Sequence, residues 1–282
     1  MNSIKIAWLI NCICHLFKIK QYLIIKKKIP NEKYIPINIS HLYTNSTSFT
    51  ACKKDTAEEP TPSTEQNLSF HLHSKVGTHE ANYDSTFLTA SGRQFTVTDY
   101  RMYISNIVLI KNDGSELPIT GKVLLTNPET EEYSLGMVPV GNYKGFKFIL
   151  GLDSTTNHSD PSTYASSDPL SVQTPSIHWS WNSGYIFWKV EGKVDTTVAQ
   201  NGPVVVDYFY HIGMDSFKRN IDFSTEAFSV VSGQDQLVHL AFNLNEALSN
   251  VDMTSELMTH TMDNLPLATK IANNWQAAFS VE

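Results

Sequence analysis

The sequence predicts an all-β chain: an antiparallel β-sandwich or partly closed barrel with a short C-terminal helix. Three observations lead there. From residue 68 onward, short runs rich in β-branched and aromatic residues recur along the chain. Gly and Pro punctuate the connections, and Asn112-Asp113-Gly114 is a turn signal. Apolar residues at helical spacing are confined mainly to the C-terminus.

Residues 1–66 stand apart from that pattern. The segment IAWLINCICHLF (6–17) is apolar but too short to span a bilayer. Residues 1–51 read as an atypical leader, because 37–48 are mostly polar where a signal peptide needs an apolar run. FTAC (49–52) resembles a bacterial lipobox, which makes Cys52 the expected lipidation site. Residues 52–66 are rich in Thr, Pro, Ser and Glu, as a flexible tether is. The implied location is the bacterial cell envelope, with the protein lipid-anchored at the outer membrane on its periplasmic or surface face.

Residues 67–282 form the expected β domain. LSFHLHSKV (68–76) alternates, with Leu68, Phe70 and Leu72 on one face and His71 and His73 on the other. RQFTVTDYRMYISNIVLIKNDG (93–114) holds one long or two short strands. GNYKGFKFILGLD (141–153), SIHWSWNSGYIFWKVEG (176–192), VVVDYFYHIG (204–213), FSVV (228–231) and QLVHLAFNL (236–244) continue the series. Pro266 suits a first helical position, and Leu267, Ile271, Trp275 and Ala278/Phe279 follow at three- and four-residue spacing.

Charge and thiol content narrow the chemistry. Residues 1–54 carry nine lysines against one carboxylate, whereas the remaining chain has 12 Lys and Arg against 27 Asp and Glu. So acidic a body argues against nucleic acid as a partner, since phosphate binding needs clustered cations. Cys12, Cys14 and Cys52 are the only cysteines. Any transition metal in the β domain is therefore expected to rely on His, Met, carboxylate or a less usual ligand. It has no G-x-S-x-G, no H-E-x-x-H and no Gly-rich phosphate loop, and no enzymatic activity is expected.

Three clusters are candidate sites. Trp179, Trp181 and Trp188 crowd one stretch; alternation puts Trp179 and Trp181 on the face opposite His178, and filling a core accounts for all three. His71 and His73 have a spacing that lets both imidazoles reach one ion, and His211 ends a strand before Gly213. His239, within an alternating strand, is expected to matter less for metal. His260 lies between Met258 and Met262, whose thioethers are soft donors. Asp153, Asn157 and Asp160, in a loop that also carries Asp168, offer hard oxygen ligands for Ca²⁺.

The ordered segments FTVTDYRMYISNIVL, GNYKGFKFILGLDSTTN, HWSWNSGYIFWKVEG and FYHIG resemble the MbnP-like copper-binding proteins over essentially all of 67–282. The centre of the likeness is W-x-W-N-S-G-Y-I-F-x-K-x-E-G. The resemblance implies copper held by histidines, His73 and His211 here with His71 beside them. It also implies one tryptophan, Trp179 or Trp181, oxidised to kynurenine by a dihaem peroxidase of the MbnH/MauG type. Where the family commonly has Met-aromatic before the first Trp, this chain has Ile177-His178. The function expected is copper acquisition or homeostasis. The rival is a non-metal sandwich binding carbohydrate or protein through exposed aromatics.

Overall fold

The computed structural model describes residues 64–179 and 184–282, so Cys52 and Trp181 lie outside the described residues. Two sheets face each other across one aromatic core. Numbered along the chain, the first sheet contains β1 (Glu65–Val76), β2 (His79–Glu80), β8 (Glu132–Pro139), β15 (Gln236–Asn243) and β17 (Phe279–Val281). Its order is β17-β15-β1-β2, with β8 also paired to β1. The second sheet is built on β13 (Arg219–Phe223), β9 (Gly141–Leu150), β5 (Asp99–Lys111), β11 (Gly184–Val194), β12 (Val206–Gly213) and β16 (Met258–Thr259), in that order. At its margins pair β3 (Thr86–Leu88), β4 (Gln94–Thr96), β6 (Glu116–Pro118), β7 (Val123–Thr126), β10 (His178–Trp179) and β14 (Phe228–Val230).

Among the described residues neither sheet closes, so the architecture is a sandwich and not a barrel. It is not purely antiparallel. β1 pairs with β15 in parallel, from Leu68 opposite Gln236 to Lys75 opposite Asn243. β12 and β16 are also parallel. Alternation along a strand fixes which face is buried but says nothing about the direction of its partner.

The period-two pattern sends one set of side chains into the core and the other outward. Phe70 of β1 meets Phe146 and Phe148 of β9, with ring centroids 5.4 and 5.9 Å apart. Phe242 of β15 meets Tyr100 of β5 at 6.1 Å and Trp188 of β11 at 6.5 Å. The opposite sets, His71 and His73 on β1 and Phe209 and His211 on β12, therefore lie on the outer faces of the two sheets. Gly192 lets β11 pass close to the neighbouring chain: a Cβ there would collide with the Thr96 carbonyl.

Two short helices, α1 (Ser154–Asn157) and α2 (Leu244–Ala247), precede helix α3 (Leu265–Ala278), which closes one side of the core. Asn264 caps it, its side chain accepting from the Leu267 amide at 3.3 Å, and Pro266 sits in the first turn, where no amide donor is needed. Leu267, Ile271, Trp275 and Ala278 are buried along one stripe. Phe279, expected at the end of that stripe, instead begins β17 and packs on Phe242 at 4.7 Å. Trp275 reaches Trp188 at 6.1 Å, tying the helix to the second sheet.

Trp188 is fully buried where β11, β15 and α3 meet. Trp188→Ala is therefore expected to cost about 3–5 kcal/mol, read as a lower urea midpoint. An unchanged midpoint would mean that this aromatic junction does not carry the core.

Candidate functional site

The parallel register of β1 and β15 sets His71 opposite His239, and their rings are 4.9 Å apart. His73, two residues on and on the same face, has its ring 4.7 Å from that of His71. His71, His73 and His239 can each offer one ligand atom with all three within 4.8 Å of one another. Among the described residues this is the one such group of three or more His, Cys, Asp or Glu. Ligand nitrogens around a tetrahedral ion stand about 3.3 Å apart, so rotamer changes alone could close the trio on a metal.

Carboxylates ring the trio. His73 Nδ1 lies 3.0 Å from Glu80 and its Nε2 3.8 Å from Glu282. His71 Nε2 lies 3.6 Å from Glu131, and its Nδ1 4.0 Å from Glu132. That Nδ1 is buried and, among the described residues, has no hydrogen-bond partner. A buried ring nitrogen without a partner is costly unless something fills the position. Lys75 pairs with Glu282 and balances part of the negative charge.

His211 belongs to a different place. It stands on the outer face of the second sheet, with the core between it and His73, so the structure does not bring these two expected ligands together. His239, expected to matter less for metal, stands instead with His71 and His73. His71 and His239 face each other across strands 168 positions apart in sequence, and no local pattern signals such a register.

His211 instead ends a row of charges crossing β5, β11 and β12. Arg101 donates to Asp99 through Nε and Nη2 at 2.8 and 2.5 Å. Lys189 Nζ lies 2.7 Å from Asp99 and 2.9 Å from Glu191, and His211 Nε2 is 2.7 Å from Glu191. The hydrogen bond to His211, with Lys189 behind it, lowers the Glu191 carboxyl to about 2. Burial is the main cause that lowers His211 below its ordinary value; Glu191 opposes the shift and Lys189 adds to it. At neutral pH His211 is therefore a neutral imidazole donating to an ionised Glu191.

The loop expected to bind calcium performs another task. Asp153 caps α1 (Ser154–Asn157), accepting from the Thr156 amide at 3.1 Å and hydroxyl at 2.9 Å. Asp160 caps the short 3-10 turn Pro161–Thr163 through the Ser162 amide at 2.8 Å. Asn157 is buried; it donates to Asp215 at 2.8 Å and accepts from the Tyr185 amide at 2.9 Å. Helix capping and cross-linking engage these oxygens. Asp and Asn at loop–helix junctions give the same local pattern as a ligand loop.

Trp179, Trp188 and Trp275, the described tryptophans, are all buried. That removes two members of the exposed aromatic row needed for carbohydrate binding. Trp179 pairs through β10 with Gly184. Its six-membered ring lies over Gly213, where a Cβ would stand 2.7 Å from ring carbons Cη2 and Cζ3. Beside it is a cavity of about 270 Å³ lined by Asn157, His158, Met214 and Asp215. His178, half-buried, packs edge-on to Tyr185 at 4.8 Å, and burial lowers its pKa.

The charge row has a definite pH signature. Glu191 is lowered from an ordinary 4.5, so its contribution to stability is present above that value and fades as pH falls toward about 2. His211 is held neutral, so the unfolded chain gains a proton below 6.5 that the fold resists, and stability starts to fall there. In an NMR titration the His211 midpoint should lie below 6.5 in the wild type. Because Glu191 is the group that raises it, Glu191→Gln should move that midpoint further down. An upward move would contradict the assigned charges.

Compared with known proteins, the chain matches the MbnP family model over residues 65–263. No curated protein sequence matches it. Its fold is similar to the solved structure of MbnP from Methylosinus trichosporium, with a TM-score of 0.55 and 13% identity. That likeness covers 77% of this chain and 98% of the other. With the family model matching well over half of its residues, the chain belongs to the MbnP family.

Proposed function

We propose that the protein binds copper through His71, His73 and His239, and serves copper acquisition or homeostasis without catalysing a reaction. The observation that carries this reading is the buried, unbonded His71 Nδ1 inside a cluster of three imidazoles. Imidazole suits copper, zinc and nickel, and Cu²⁺ stands highest among the first-row divalent ions. The copper binding implied by the resemblance of 67–282 to MbnP-like proteins favours copper among the three. With the ion on Nδ1 of His71 and Nε2 of His73, Glu131 and Glu80 lie on the other ring nitrogens, in position to accept from the N–H groups that face away from the ion, as carboxylates around metal-bound histidines do.

Lipidation of Cys52 would hold this domain at the outer membrane through the 52–66 tether. Trp179 is the described candidate for oxidation to kynurenine by a dihaem peroxidase partner. Its support is local: the indole is buried beside a cavity that also presents His158 and Met214. Such oxidation adds about four mass units to its peptide, one oxygen gained and one carbon lost, and needs an external redox cofactor. Peptide mass mapping of protein from its native host under copper limitation checks this; an unmodified Trp179 peptide would remove it.

Isothermal titration with Cu(II) tests the site itself. His71→Ala, His73→Ala and His239→Ala should each weaken binding by about tenfold or more, whereas His211→Ala should leave this Cu(II) site unchanged. Wild-type Cu(II) affinity in the three trio variants would refute the assignment.

A further inference from the structure

Three connecting segments meet at a place that neither the trio nor the charge row uses. The turn between β3 and β4 closes through Thr89, whose hydroxyl accepts from the Arg93 amide at 3.0 Å. The loop after β11 is drawn round Asp195, whose carboxylate accepts from the Thr197 amide at 2.8 Å and the Gly202 amide at 2.9 Å. The third segment, 250–253, is tied to α3 by Lys270, which donates to the Asn250 carbonyl at 3.0 Å. Residues from all three line a cavity of about 380 Å³.

Arg93 sets the chemistry of this cavity. It is only 9% exposed. Its Nη1 donates to the Asp195 and Thr197 carbonyls at 2.6 and 3.0 Å, which fixes the guanidinium between two of the segments. Among the described residues its Nε and Nη2 have no hydrogen-bond partner, and no carboxylate forms an ion pair with it. A cation taken this far out of water is costly unless its donors are met. Nε and Nη2 make up the edge with which Arg101 grips Asp99, at 2.8 and 2.5 Å. That edge fits a carboxylate at two points.

The rim is preset in a costly backbone conformation. Gln200 and Asn250 both line the cavity, with φ of 56° and 62°. Residues other than glycine seldom take positive φ, and those that do gather where a ligand is held.

Asp252 lines the same cavity without pairing to Arg93. Its Oδ1 accepts from the Thr254 amide at 3.0 Å and hydroxyl at 2.7 Å, and its Oδ2 from the Ser255 hydroxyl at 2.8 Å. The Thr254 bonds are the main cause that lowers its carboxyl below the ordinary value, and Arg93 adds to them. Asp252 is therefore ionised at neutral pH, and its Oδ2 can accept one more donor. A simple anion would be drawn to Arg93 but repelled by Asp252, and by a body with 27 Asp and Glu against 12 Lys and Arg. A ligand carrying both a carboxylate and an ammonium meets both charges and adds no net charge.

We propose that this cavity binds a small zwitterion of the α-amino-acid class, with its carboxylate on Nε and Nη2 of Arg93 and its ammonium on Asp252. Thr89, Gln200 and Asn250 supply neutral polar groups around the charged ends, and buried Met253 an apolar wall for the side chain. The site does not depend on metal at the trio.

Titration of the metal-free, full-length protein with the common L-amino acids, one at a time, followed by ¹H–¹⁵N NMR, tests it. At least one should bind saturably at millimolar concentration or below and shift the amides of Gly92, Gln200 and Asp252. Two analogues of matching shape then separate the charges: the α-hydroxy acid lacks the ammonium, and the α-carboxamide lacks the carboxylate. Each should bind about tenfold or more weakly than the amino acid, as should the amino acid itself to Arg93→Lys, which keeps the cation but not the fork, and to Asp252→Asn. The proposal is overturned if no amino acid shifts those amides, if either analogue binds as tightly as the parent, or if both variants bind as the wild type does. The analogue comparison uses the wild-type chain, so it decides the matter even where a variant fails to fold.

Discussion

In the parallel pairing of β1 with β15, eight successive residues of each strand face one another without a slip, from Leu68 and Gln236 to Lys75 and Asn243. A shift of one residue would turn every side chain of one strand to the other face. That register delivers Phe70 and Phe242 to the core, where they meet Phe146, Tyr100 and Trp188 of the other sheet. The same register sets His239 beside His71 on the outside. Core packing and the imidazole trio thus follow from one constraint, and the buried side enforces the geometry of the exposed side.

The second sheet uses polar pairing to similar effect. Asp99, Lys189 and Glu191 lie on the side of β5 and β11 that would otherwise face water, and the 169–177 segment covers them. Pro175 accepts from Arg101 at 2.7 Å, Pro169 accepts from Tyr103 at 2.9 Å, and Leu170 accepts from Tyr185 at 2.6 Å. Removing one member of such a row would strand a buried charge, which is far more damaging than replacing the whole set with apolar residues. The row orients His211 by making it the terminal donor to Glu191.

The strands were largely legible in the sequence, because half-buried strands alternate and 68–76, 141–150, 206–213 and 236–243 do so clearly. The shared face of His71 and His73 followed from the same alternation. His239 was not legible as their partner, because its place depends on the direction and register of a strand far away in sequence. Joining His73 to His211 failed for a related reason: both are outward on their own strands, and only the packing of the sheets puts them on opposite faces. In the 151–170 loop, carboxylates that cap short helices were indistinguishable from carboxylates that bind an ion. His260 between two methionines was visible, but its neighbour His211 emerges only from the β12–β16 pairing.

The last strand of the described chain has a further role. β17 covers the outer edge of β15 over three residues, and the Glu282 amide extends the ladder to the His239 carbonyl at 3.0 Å. Without it, β15 would present a run of unpaired amides and carbonyls with Leu237 already exposed, the kind of open edge onto which a second copy can add a strand. The three-residue strand guards that edge, and α3, which runs directly into it, delivers it there. Self-association through β15 is thus held off by the docking of the C-terminal helix, and because Trp275 of α3 packs on Trp188, conditions that loosen α3 would open that edge and one side of the aromatic core together.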